Sequence, residues 1–229
     1  MNEASASRLT RRQALLLGTG LAAGAVLYDT GTAAAAVPVN GPTAWTGTTS
    51  SNHWPVIDRA TRFRVEGAAG VEVPLLHGDV ATVLLYIARR FAYEVDMLRP
   101  GDLTGHTTRR GIGAAFESNY LSGTAIAVRP LFYPLGAQAG TGMTGQELVV
   151  IQDILADCGE VVAWGGDFSP VKESHFQIDV PPGDRRLGDL AGTINGWNET
   201  PGQGAGTIDA FAPDRIRRAR KAQKARSTR

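Results

Sequence analysis

The chain has 229 residues, 43% hydrophobic and 20% charged, with a formal net charge of +1. That balance excludes a disordered, collagen-like or polytopic membrane protein and leaves one sizeable core with tails. Cys158 is the only cysteine, so no intrachain disulfide forms, and the near-neutral total conceals an acidic body with a basic tail over 215–229 that holds no Asp or Glu.

Thr10-Arg11-Arg12-Gln13-Ala14-Leu15-Leu16-Leu17 opens an apolar run rich in Gly and Ala to about Leu27, and Ala34-Ala35-Ala36 follows. The segment resembles a bacterial twin-arginine export signal cleaved after Ala36, which implies an exported protein, extracellular or held at the cell envelope. The run is shorter than the roughly 20 apolar residues that cross a bilayer, so no stable membrane span is expected after cleavage.

Residues 37–52, rich in Gly, Pro, Thr and Ser, read as a flexible leader. From His53 short apolar pieces alternate with turns: Trp54-Pro55-Val56-Ile57, Phe63-Arg64-Val65, Val71-Glu72-Val73. Asp79 is placed to cap a helix from Val80 to about Met97, with Val80, Val83, Leu84, Ile87, Phe91 and Val95 at helical spacing and Arg89 and Arg90 on its solvated face. Arg109 and Arg110 follow in a loop, where a guanidinium fork suits either a carboxylate ligand or a structural clamp. Thr124-Ala125-Ile126-Ala127-Val128 is a strand whose alternation sets Thr124, Ile126 and Val128 on one face and Ala125 and Ala127 on the other.

Thr144-Gly145-Gln146-Glu147 is a capping box that opens a helix through Asp157, closed by Gly159. Val161-Val162-Ala163-Trp164 and Phe176-Gln177-Ile178-Asp179-Val180 read as strands joined by a loop from Gly165 to Ser174 that rims a pocket. A helix from Asp184 to about Ile194 completes the packed part near Trp197. Beyond it, 198–229 reads as a loose Gly-rich segment and a basic tail with almost no apolar face, suited to anionic surfaces but not to membrane insertion. Nucleic acid is not an expected partner, since the body is acidic and Gly111-Ile112-Gly113 lacks the later glycine of a nucleotide-binding loop.

Two stretches carry the functional expectation: Ser118-Asn119-Tyr120-Leu121-Ser122-Gly123-Thr124-Ala125-Ile126-Ala127, and Trp164-Gly165-Gly166-Asp167 leading to Glu173-Ser174-His175-Phe176. They resemble the zinc D-alanyl-D-alanine carboxypeptidases and their L-alanyl-D-glutamate endopeptidase relatives. The signature of that family is Ser-x-His-x-x-Gly-x-Ala-x-Asp, then Trp-Gly-Gly-Asp, then Asp/Glu-x-x-His-Phe. The resemblance covers about residues 53–197 and implies an α+β fold of the Hedgehog/DD-peptidase kind, with helices packed on a small, mainly antiparallel sheet.

Ser118, Gly123 and Ala125 keep the frame of the first motif, but Tyr120 stands at the first zinc histidine and Ala127 at the zinc aspartate. His175 stands at the third ligand, and Lys172 occupies the place of the catalytic carboxylate, leaving Glu173 as a weak substitute that shares a face with His175 if both lie on a strand. A catalytic zinc needs about three protein ligands, an open position and a base, so loss of two ligands and the base removes hydrolysis. The resemblance thus implies a degenerate member, with no zinc, whose Arg109 or Arg110, Ser118, Tyr120, Trp164, Asp167 and His175 line a groove for peptidoglycan peptide or an envelope protein. Tyr120 is expected to fill the vacated space with its hydroxyl on His175 or a water, and the protein to be a monomer. The alternative is a working zinc peptidase that recruits His106, Glu117, His77 or Glu173 beside His175. A third possibility is an envelope interaction domain without ligand recognition.

Overall fold

In the computed structural model, which describes residues 41–137 and 142–228, a 16-residue helix, α1 (Asp79–Glu94), supplies much of the core. Val80, Val83, Leu84, Ile87 and Phe91 recur at helical spacing and all are buried. Gly78, at φ 94°, holds the N-cap position and no side chain caps the helix, so Asp79 is an acidic first-turn residue rather than the expected cap. The helix ends at Glu94, short of Met97, which is 64% exposed. The expected export signal lies outside the described residues.

Around α1 the chain forms β1 (Thr43–Ala44), β2 (Thr61–Arg64), β3 (Glu72–Leu75), β4 (Leu103–Thr104), β5 (Gly111–Ile112), β6 (Ala125–Val128), α2 (Gly145–Cys158), β7 (Val162–Trp164), β8 (His175–Ile178), α3 (Arg185–Glu199) and α4 (Pro213–Arg226). The largest sheet runs β4-β6-β8-β7 with every neighbour antiparallel, β2 and β3 form a hairpin, and β1 pairs with β5. The architecture is mixed α+β, with small antiparallel sheets and several helices, as the element pattern led us to expect. Both central strands are buried on both faces: Ile126, Val128, Phe176 and Ile178 enter the main core, while Ala125 and Ala127 meet Tyr120 on the other face. The Thr144–Glu147 capping box forms, α2 stops at Gly159, and Asp184 caps α3 through the backbone N–H of Arg186. Cys158 is buried in the core, where burial pushes its thiol pKa up.

Three sequence expectations are corrected. The described part of the supposed leader is woven into the fold: β1 is paired, Ser50 and Asn52 are buried, and Asn52 Nδ2 donates to Thr124 Oγ1 and to the Ile178 carbonyl, both at 2.8 Å. Its polar composition reads as solvated, but those donors satisfy groups that the sheet has already removed from water. Arg90 is not on a solvated face. Fully buried, it donates to Asp153 and Asp157 at 2.7 Å each and to Glu94. The packed part also continues past Trp197: Ala210 and Ala219 are buried, and α4 lies on α2 with Arg215 and Arg218 on Asp153 and Asp157. The docking face of α4 is built of guanidinium groups, which apolar periodicity does not detect.

Candidate functional site

A short 3-10 helix, Ala115–Tyr120, delivers Ser118, Asn119 and Tyr120 to the inner edge of β6. The turn into the strand passes through Gly123 at φ 68°, where an added Cβ would lie 2.8 Å from the Leu76 amide nitrogen. Any other residue is strained there and clashes as well. Antiparallel pairing then sets Ala127 directly opposite His175. Gly165 makes the second close approach: a Cβ would sit 2.2 Å from the Lys172 carbonyl and 2.9 Å from His175 Cβ, so the first glycine after Trp164 lets that loop fold onto the histidine.

His175 is fully buried, and both its ring nitrogens have partners: Nδ1 lies 2.7 Å from the Tyr120 hydroxyl and Nε2 lies 2.9 Å from Gln177 Oε1. The proton positions follow from a fixed starting point. The backbone N–H of Asn52 donates to Asn119 Oδ1, so Asn119 Nδ2 is the end that donates to Gln177 Oε1, at 2.7 Å. Gln177 Nε2 donates to Asp179, at 2.8 Å, which agrees with that amide orientation. Since Gln177 Oε1 only accepts, His175 carries its proton on Nε2, and its bare Nδ1 accepts from the Tyr120 hydroxyl. Burial pushes the imidazole from its ordinary 6.5 down to about 3, so it is neutral, and burial holds the Tyr120 phenol protonated by raising its pKa.

Phe116 and Phe168 pack against the imidazole with their rings tilted and ring centroids 4.8 and 6.1 Å away, and Tyr120 meets it edge-on at 5.2 Å. Lys172 lies with Nζ 4.9 Å from the Tyr120 ring centroid and pairs with Glu117 at 2.5 Å. Burial opposes ionisation of Glu117, but the Lys172 ammonium and the backbone N–H of Gly113 hold its carboxyl below the ordinary value. The region holds a neutral imidazole, a neutral phenol and a closed ion pair.

The sequence-nominated residues therefore separate. Tyr120, Ala127, His175 and Lys172 come together. Ser118 lies beneath them as a strut, donating to the Ala115 carbonyl and accepting from the Ser51 amide. Glu173 does not share a face with His175: it precedes β8, and its carboxylate turns away to accept from the Met143 amide at 2.7 Å. Trp164, Asp167 and Glu173 instead line a separate cleft of about 430 Å³ with Leu148, Gln152, Ile216 and Arg220, and Asp167 pairs with Arg226. Arg110 clamps the loop carbonyls of Trp45 and Gly47, and Arg109 is exposed on the same loop. His106 Nε2 meets the Ile57 carbonyl, and His77 packs beside Phe63.

Gln177, Asn119, Asn52 and Phe116 complete the arrangement and were not singled out from the sequence. Strand alternation from His175 points to Gln177, whereas the other three arrive only through tertiary contacts. The zinc of the resembled family does not fit these residues. Ala127 has no donor atom, the lone pair of His175 is taken by a phenol, and no three His, Cys, Asp or Glu among the described residues converge as ligands. No family model matches the chain, and neither does any curated protein or solved structure among those compared.

Proposed function

We propose that this chain is an exported, non-hydrolytic relative of the zinc D-alanyl-D-alanine carboxypeptidases, on a Hedgehog/DD-peptidase-like scaffold, that binds peptidoglycan stem peptide in the cleft beside Trp164. One observation carries the loss of catalysis: both nitrogens of the single histidine at a motif ligand position are hydrogen-bonded inside the protein, opposite an alanine. A zinc ion there has one potential ligand, already engaged, and an ammonium in place of the base. The cleft supports retained binding, because Trp164 and Leu148 give it an apolar wall while Asp167, Glu173 and Arg220 bring charge of both signs to its edge.

The alternative, an active zinc peptidase with substitute ligands, requires His106 to leave the Ile57 carbonyl, Glu117 to leave Lys172, Glu173 to leave Met143, or His77 to leave its packing on Phe63. Zinc stoichiometry and stem-peptide hydrolysis, measured on the wild-type chain and on a Tyr120→His, Ala127→Asp double variant, separate the two. The expected result is no bound zinc and no hydrolysis in the wild type, zinc uptake in the double variant, and stem-peptide shifts at the Trp164 indole N–H. Near-stoichiometric zinc in the wild type, with hydrolysis that disappears in His175→Ala, overturns the proposal.

A further inference from the structure

The cations of α4 lie on two faces that meet different surroundings. Successive side chains on a helix turn by about 100°, which groups Arg215, Ala219 and Arg226 toward α2. Ala219 is buried, Arg215 pairs with Asp153 and Asp157 at 2.7 and 2.6 Å, and Arg226 reaches Gln152 and Asp167. Arg218, at the flank, joins the same two aspartates. Asp153 and Asp157 are buried, so this inner set fixes which face of α4 turns outward.

Arg217, Arg220, Lys221 and Lys224 fall within roughly 100° of arc on the opposite side. All four are exposed, and among the described residues none of their side chains has an ion pair or hydrogen bond. Their spacing sets like charges beside one another at 217/220, 217/221, 220/224 and 221/224, the i,i+3 and i,i+4 relations in which equal charges weaken a helix. Docking on α2 uses none of them, so the repulsion has no counterpart inside the chain. A bound polyanion removes it.

We infer that this outer face of α4 is a docking surface for a linear phosphate polymer. The row from Arg217 to Lys224 rises about 10 Å along the axis, a straight track rather than a pocket for a compact anion. Ile216 and Ala219 turn away from it, so it offers a bilayer no side chain to insert, and it carries no aromatic ring for a base to stack on. What remains is a purely Coulombic site, in which each phosphate held releases a condensed counterion. Arg220 also lines the edge of the peptide cleft, whereas Arg217, Lys221 and Lys224 lie clear of it, so polymer binding does not depend on peptide binding.

The test is binding of poly(glycerol phosphate) to the full chain as a function of salt, with orthophosphate and phosphatidylglycerol vesicles as parallel arms. With four cations engaged, log K falls with log salt at a slope of about −3, and Arg217→Gln, Lys221→Gln, Lys224→Gln together reduce that slope by roughly 2 units. Arg62→Gln, Arg99→Gln, Arg185→Gln, which removes the same charge from exposed positions elsewhere, leaves the slope unchanged. In the wild-type chain, amide shifts on adding polymer are confined to 213–228, which locates the site without any variant. No polymer binding at low salt, equal losses in the two triple variants, shifts elsewhere, or retention on vesicles with none on polymer each overturns the inference.

Discussion

His175 makes the stability of this protein sensitive to mild acid. Burial holds its folded pKa at about 3, against 6.5 for a free imidazole. Below pH 6.5 the unfolded chain takes up a proton that the folded chain refuses, so stability is full above that value and falls as pH falls toward 3. The limiting slope is about 1.4 kcal/mol per pH unit. Between pH 7 and pH 5 the integrated loss is about 2 kcal/mol, a fall of roughly 4–8 °C in Tm for a domain of this size. Glu117, whose carboxyl is held below its ordinary 4.5, adds its own acid dependence only under this window. Urea unfolding at pH 7, 6 and 5 measures the effect, and His175→Gln, which keeps a donor and an acceptor for Gln177 and Tyr120, isolates it. A wild-type stability that is flat from pH 7 to 5, or a His175→Gln variant that falls by the same amount, refutes the buried neutral imidazole.

Two further predictions test how the rest of the chain supports this region. Asn52→Ala removes the donors to Thr124 Oγ1 and the Ile178 carbonyl and is expected to cost about 1–3 kcal/mol in urea unfolding, whereas truncation in a free leader costs nothing. Arg90→Ala leaves Glu94 without its ion pair and Asp153 and Asp157 with one buried partner fewer, and is expected to cost about 3–5 kcal/mol, with α4 loosened in hydrogen exchange because the two aspartates that Arg215 and Arg218 grip are no longer held from α1.

The sequence by itself determined the elements whose cause is local. The 3.6-residue recurrence from Val80 to Phe91 specifies α1, the Thr144–Glu147 pair starts α2, Gly159 ends it, and alternation sorts Ile126 from Ala127. The likeness of the two stretches to a known signature led to the expectation of Tyr120 on His175, and the phenol oxygen lies 2.7 Å from Nδ1. The tertiary structure alone decided which polar side chains are removed from water. Arg90 has the spacing of a solvated residue, and only the approach of Asp153 and Asp157 on α2 turns it into a buried ion-pair centre. Ser50 and Asn52 have the composition of a linker, and only the turn before β6, through Ser122 and Thr124, and the end of β8, at Ile178, supply the buried groups they meet. The proton on His175 is set the same way, by an amide at Asn52 that lies far away in sequence, through Asn119 and Gln177. Hydrophobic burial leaves a periodic trace along the chain, but a hydrogen bond or ion pair between distant residues leaves none, because each partner alone is an ordinary polar residue.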